Sequence, residues 1–310
     1  MSGEQTFSAE WLTLREPADL AARSTVLVEE LARVWSYAIV EGERLQVLDL
    51  ATGTGANIRA LAPRLRRPQD WLAVDLDARL LGELSVRTRE WAAGQHWKGS
   101  VRDGRTLVHG SELDLAVTTA RFDLRELHDV QSAGAVPHGP VSPFDGRALV
   151  TASALLDLLS EPQVLALARL CRQAAATVLF ALTYDGRISL APPEPEDKAV
   201  RALVNGHQRT DKGCGTALGP EATARVARAF TDAGYHVRVE PSDWALGPEL
   251  AELQRQFLAG WAHAAREMAP EQSATITDWL ARRLAHVDAG RSMLAVGHRD
   301  LLATLATAME

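Results

Sequence analysis

The spacing of apolar positions changes near residue 45. Before it, Leu20, Val26, Leu27, Leu31, Val34 and Ile39 recur mostly every three to five residues, the spacing of one helix face, and predict a short helix near 8–14 and another near 17–40. The run "REPAD" separates the two, because Pro17 lacks an amide hydrogen and suits a first helical turn. From Leu45 short apolar runs alternate with amphipathic ones. The pattern predicts strand 45–50, helix 56–66, strand 71–76, helix 78–93, strand 114–121, helix 124–130, strand 147–152, helix 161–174 and strand 176–184. Runs such as "LQVLDL" and "ATVLFAL" are apolar on both sides, as strands of a parallel sheet between helix layers must be. Right-handed crossovers then give a doubly wound α/β fold.

Three stretches interrupt the alternation. Residues 94–112 are polar with a turn signal at Asp103-Gly104, and predict an inserted hairpin. "APPEPEDKAV" is Pro-rich and acidic, so the chain is expected to leave the sheet there, an insertion of about 191–215, and to return through helix 219–234 and strand 235–240. Helices near 248–268 and 271–287 then precede a last strand, 291–297.

Length and composition narrow the function classes. With 310 residues the chain can hold one large domain with appendages. The net charge is −7, and Lys98, Lys198 and Lys212 are the only lysines, so no concentrated cationic face is available to follow a phosphate backbone and nucleic acid is an unlikely partner. Arg-heavy, Lys-poor usage suggests a bacterial source. Cys171 and Cys214 form no CxxC pair, which argues against a metal centre or a disulfide framework. The first twenty residues have no signal-peptide pattern, and Arg169 and Arg172 interrupt the most apolar later stretch, so the expectation is a cytoplasmic protein with no membrane association.

The chemistry starts at "LQVLDLATGTGAN", Leu45 to Asn57. A dinucleotide fingerprint requires G-x-G-x-x-G, but Ile58 stands at the third glycine position, and a P-loop requires a lysine that is missing here. What is present is a strand, then Asp49-x-Ala51-Thr52-Gly53-x-Gly55, then a helix, with Asp75 closing the second strand 22 residues beyond Gly53. This arrangement resembles the first and second motifs of class I S-adenosylmethionine-dependent methyltransferases of the small-molecule type. Ala51 replaces the first glycine of their usual [DE]-x-G-x-G-x-G.

The resemblance spans roughly 45–240. It implies a seven-stranded, mostly parallel Rossmann-like methyltransferase fold, with N-terminal helices and a helical insertion before the last strand. Residues 1–44 become an N-terminal helical lid or cap, and 45–310 the S-adenosylmethionine-binding domain, with insertions about 94–112, 191–215 and 248–287. It implies cofactor contacts from the turn (Asp49, Ala51, Thr52, Gly53, Gly55), from Asp75 to the ribose hydroxyls with Leu76 beside it, from Asp123 and the Leu124 amide to adenine, and from Ala152 and Ser153 after the fourth strand. Arg23 is the candidate for the cofactor carboxylate, since a guanidinium suits bidentate pairing. Asp77 is read instead as a helix N-cap.

Candidates on the acceptor side come from loops at the sheet's C-terminal edge, where open α/β sheets bind ligands. His207, Asp157 and Tyr184 are the candidate catalytic groups, His207 because its charge changes near neutral pH. Trp11, Arg15, Arg209, Lys212 and Trp244 are the candidate substrate contacts, the cations suiting a carboxylate- or phosphate-bearing molecule. No metal is expected. Missing [ND]-P-P-[FY] and Pro-Cys motifs turn the expectation away from nucleic-acid acceptors. It is transfer of a methyl group from S-adenosylmethionine to an oxygen or nitrogen of a small molecule. A nicotinamide-dependent oxidoreductase on the same sheet and a non-catalytic S-adenosylmethionine-binding partner subunit are the alternatives, and the oligomeric state is left open.

Overall fold

The computed structural model describes residues 8–37, 43–127, 142–213 and 215–305. Helix α1 (Ala9–Ala22) opens on a Ser8 cap and is followed by α2 (Thr25–Tyr37). The alternating part follows: β1 (Leu45–Leu50), α3 (Ala56–Leu61), β2 (Gln69–Asp75), α4 (Ala78–Gly94), the hairpin β3 (Lys98–Arg102) and β4 (Arg105–His109), β5 (Asp114–Arg121), β6 (Leu149–Ser153), α5 (Glu161–Gln173) and β7 (Thr177–Ala191). Then come α6 (Asp197–His207), α7 (Ala222–Asp232), β8 (Tyr235–Pro241), β9 (Trp244–Leu246), α8 (Ala251–Met268), α9 (Ser273–Asp288) and β10 (Met293–Leu305).

Strands β5, β2, β1, β6 and β7 are mutually parallel neighbours, and β10 enters antiparallel between β7 and β8. The order β5-β2-β1-β6-β7-β10-β8 is the seven-strand Rossmann-like methyltransferase order, with its reversal point beside β1. The inserted hairpin forms as expected and lengthens the sheet, β4 pairing antiparallel with β5. Asp103 and Gly104 have φ of 50° and 73°, the doubly left-handed turn whose twist matches two antiparallel strands.

Several boundaries differ from the sequence pattern. Helix α1 runs through Pro17, and the break falls at Arg23 and Ser24, where the Ser24 hydroxyl caps the amide of Leu27 at 3.2 Å. Tertiary contacts outweigh the proline: just past Pro17 in the same helix, buried Asp19 is gripped by Arg15 and by the indole of Trp244. Helix α3 ends at Leu61 and tightens into a 3₁₀ turn over Ala62–Arg64. The segment after Asp123 is a 3₁₀ turn, Leu124–Glu126; the rest of the helix expected to 130, like the end of the one expected to 40, lies outside the described residues.

The largest departures are in β7 and β10. β7 continues past Tyr184 to Ala191, and β10 runs to Leu305 rather than ending near 297. Residues 177–183 and 299–305 belong to the main sheet. Beyond them the same two strands project as a ribbon on which β9, α6, α8 and α9 pack. This projection has its own core, including Trp244, Leu253, Leu258, Trp261, Ile276, Trp279, Leu294 and Val296. The helical insertion is thus half of a cap lobe, and Ala18 of α1 joins the same core.

Candidate functional site

The C-terminal ends of β1, β2, β5 and β6 open into a cavity of about 640 Å³. Its wall includes Ala51, Thr52, Gly53, Asp75, Leu76, Phe122, Asp123, Leu124, Ser153 and Leu155 from the sheet side, Leu12, Arg15 and Asp19 from α1, and Lys212. Four separate strand ends therefore deliver to one space the residues that the sequence pattern singled out.

The turn after β1 is bent by left-handed residues: Ala51, Gly53 and Gly55 have φ of 49°, 54° and 84°. Ala51 adopts the conformation its glycine counterpart would take, at a cost of about 1–2 kcal/mol for its Cβ. The two glycines are also crowded. A Cβ on Gly53 would lie 3.0 Å from Leu12 of α1, and one on Gly55 2.9 Å from Leu84 of α4. Asp49 is fully buried beneath the turn, where its carboxylate accepts from the Thr52 hydroxyl and the Asn57 amide, both at 2.6 Å. It braces the turn and does not line the cavity. Asp75 accepts the amide of Gly53 at 2.8 Å through Oδ2 and that of Asp77 at 2.9 Å through Oδ1, so one carboxylate ties the first turn to the second. Burial raises the pKa of Asp75. Asp77 caps α4, as expected. Asp123 accepts the Arg125 amide at 2.9 Å and its guanidinium at 2.7 Å, and the hydrogen bond from that side chain lowers its pKa.

Arg23, expected at the cofactor carboxylate, lies behind the cavity wall and not on it: it donates to Ser153 Oγ at 3.1 Å, while its Nε and Nη1 are buried without acceptors. Arg15 holds Asp19 through two nitrogens, at 2.9 and 3.1 Å, and its guanidinium lies 4.9 Å over the ring of Trp244. Helix α1 is further anchored over the turn by Glu16, which pairs with nearly buried Arg59 at 2.6 Å.

The acceptor-side candidates separate. Lys212 reaches the cavity. His207 does not: at the end of α6 it contacts Glu267 of α8 at 2.8 Å and Lys212 at 3.4 Å, and burial lowers its pKa. The Tyr184 hydroxyl is committed to Asn205 at 2.7 Å, and burial raises its pKa. Arg209 pairs with Glu221 at 3.3 Å on the surface. Trp244 is 2 % exposed and donates its indole N–H to Asp19 at 3.0 Å, a core residue of the cap lobe rather than a pocket wall. Trp11 packs on that same core. Asp157 is buried just behind Leu155 and Leu158, with Arg15 and Lys212 as its nearest cationic influences. Gly55 and Ala152 lie outside the wall, in the turn and in the core respectively. His298, which the sequence pattern did not single out, is buried against Tyr184 and Trp244; burial lowers its pKa to about 4, so it is neutral.

Asp49 and Asp157 are both pushed up to about 6, first by burial. Folded protein then holds these protons more tightly than the unfolded chain, so their contribution to stability is present at low pH and is lost as pH rises through about 6. His298, lowered to about 4, acts in the opposite sense over the same range, so the test is a difference: relative to the wild type, the thermal midpoint of Asp157→Asn is expected to change in the upward sense as pH rises from about 4 to about 6. Parallel pH profiles for the two proteins would contradict the assignment.

Among the described residues, no group of three or more His, Cys, Asp or Glu side chains converges as a metal site, and no helix is long and apolar enough to cross a membrane. Cys171 is buried, and burial raises its thiol pKa; Cys214 lies outside the described residues.

No protein-family model matches the sequence, and no curated protein is detectably similar to it. Among solved structures, the chain is similar to a SAM-dependent methyltransferase from Geobacter sulfurreducens in complex with S-adenosyl-L-homocysteine, with 14% identity, 95% of this chain and 98% of that one covered, and a TM-score of 0.41. A SAM-dependent methyltransferase from Thiobacillus denitrificans, also in complex with S-adenosyl-L-homocysteine, gives 13% identity, coverage of 96% and 100%, and a TM-score of 0.42. A cyclopropane synthase from Mycobacterium tuberculosis gives 10% identity, coverage of 96% and 94%, and a TM-score of 0.44.

Proposed function

We propose that this protein transfers a methyl group from S-adenosylmethionine to an oxygen or nitrogen of a small-molecule acceptor. The observation that carries this reading is the convergence of the left-handed turn, Asp75, Asp123 and Ser153 on one cavity of about 640 Å³. The donor set fits the cofactor. Each oxygen of Asp75 accepts a single backbone amide and retains a lone pair for a ribose hydroxyl. Asp123 and the Leu124 amide form an acceptor and donor pair for adenine, with Leu76 and Phe122 as apolar neighbours. Ser153 on the wall, backed by the Arg23 guanidinium that donates to it, faces the side where the cofactor carboxylate would lie. Ile58, fully buried where a dinucleotide fingerprint has its last glycine, speaks against nicotinamide.

When bound, the cofactor supplies an electrophilic methyl group on a sulfonium. The chain aligns the acceptor and keeps water out. Helix α1 covers the turn, bringing Leu12 and Arg15 to the cavity. Lys212 offers a positive charge to an anionic group of the acceptor. Asp157 is the candidate base: it lies behind Leu155 and Leu158, not on the cavity wall, so it would take the proton through one bridging water, and burial, which raises it to about 6, suits it to do so near neutral pH. In this reading His207 and Tyr184 support the cap lobe and do not touch the acceptor.

The test is methyl transfer from labelled S-adenosylmethionine across an acceptor panel. Asp157→Asn is expected to lower turnover about a hundredfold while leaving S-adenosylhomocysteine affinity unchanged. Full turnover in that variant would remove Asp157 from the reaction. Failure of the wild-type protein to bind the homocysteine product would refute the function itself.

A further inference from the structure

Asp300 lies in β10 and is 1 % exposed, yet both its oxygens serve elements that frame the cavity. Oδ2 accepts the amide of Ser24 at 2.8 Å, and Oδ1 accepts that of Leu182 at 2.8 Å. Ser24 forms the corner between α1 and α2, directly after Arg23. Leu182 stands at φ 58°, where β7 passes from the main sheet into the projecting ribbon.

Arg23 is a guanidinium whose Nη2 holds Ser153 and whose other two nitrogens are buried without acceptors. A buried cation of this kind needs a compensating charge. Asp300, Asp19 and Asp49 are the carboxylates that act on it. Asp19 is already paired with Arg15, and Asp49 is engaged by Thr52 and Asn57. Among the described residues, Asp300 accepts only from backbone amides and has no cation among its hydrogen-bond partners. Behind the cavity wall Arg23 lines a separate groove between α2 and the segment 60–67, together with Arg64, Arg66 and Arg67. The guanidinium therefore has somewhere to go if its counter-charge is lost.

We infer that Asp300 is a positioning residue for the amino-acid end of the cofactor: it pins the corner that carries Arg23 and keeps that guanidinium against Ser153 on the cavity wall. This rests on the proposed function. It extends that reading to a residue 276 positions from the corner it holds.

The test uses two ligands that differ only at the end in question, S-adenosylhomocysteine and 5′-methylthioadenosine, which keeps the nucleoside and sulfur but lacks the amino-acid tail. Asp300→Asn keeps the side chain's shape, removes its charge and sets an amide NH2 against one of the two backbone N–H donors, which opens one side of the clamp. By calorimetry this variant is expected to bind S-adenosylhomocysteine about tenfold more weakly, with 5′-methylthioadenosine unchanged within about twofold. Arg23→Met paired with Asp300→Asn, which removes the cation together with its counter-charge, is expected to bind both ligands as Arg23→Met alone does, and decides the matter if Asp300→Asn does not fold: a further loss of S-adenosylhomocysteine in the double variant overturns the inference. Equal losses for both ligands, or no loss for either, overturn the inference while leaving the proposed function standing. A wild-type protein that binds neither ligand overturns both.

Discussion

Asp75→Ala is expected to weaken S-adenosylhomocysteine binding by roughly a hundredfold while the protein stays folded. Two hydrogen bonds from ribose hydroxyls to a carboxylate are worth about 1.5–3 kcal/mol each, and about 1.4 kcal/mol is a factor of ten. The variant also releases the amides of Gly53 and Asp77, which Asp75 holds at 2.8 and 2.9 Å. Both face the cavity region, where water can replace the lost acceptor, so the structural penalty is small beside the binding loss. Asp75→Asn retains one acceptor oxygen and is expected to lose only about tenfold. Calorimetric titration separates the two variants; unchanged affinity in Asp75→Ala would remove Asp75 from the ribose site.

The largest effect on stability is expected in the cap lobe. Arg283 of α9 is fully buried and bonds Asp197 through Nε at 3.0 Å and through Nη2, and the carbonyl of Pro192 at 2.6 Å. Asp197 also accepts the Trp279 indole N–H and the Glu194 amide, both at 2.8 Å. Asp197→Ala strands a buried guanidinium and is expected to destabilise the protein by about 3–5 kcal/mol, measured by denaturant unfolding. Replacing both partners, Asp197→Leu with Arg283→Met, removes the uncompensated charge and is expected to recover most of that loss. A double variant no more stable than Asp197→Ala would show that the other bonds to Asp197, not the ion pair, dominate.

What was legible in the sequence was what local chemistry dictates. The turn at Gly53 and Gly55 and the hairpin at Asp103-Gly104 announce themselves because few residues tolerate their backbone angles. Asp75 follows from its place at a strand end. Less legible were features paid for by distant contacts. Helix α1 survives Pro17 because Asp19 is held by Trp244, 225 positions away. Strand β10 continues through His298, Arg299 and Asp300, a polar run that reads as a strand end. It holds because Arg299 pairs with Asp185 at 3.1 Å and Asp300 with the backbone of Ser24 and Leu182. For the same reason Asp300 carried no signal. Lys212 and His207 look alike as loop polars, and only packing separates the one that lines the cavity from the one that faces Glu267.

The two long strands also bear on how such a protein can be remodelled. Because β7 and β10 pass unbroken from the sheet into the lobe, the lobe is a cantilever and not a hinged door: swinging it would break ladder bonds along the ribbon. Its stiffness is interrupted only where the pairing slips, between Val296 and His298 and between Arg299 and Leu301, beside Leu182. Those slips are natural seams. A lobe from another protein could be spliced in there while leaving the parallel strands and their turn untouched.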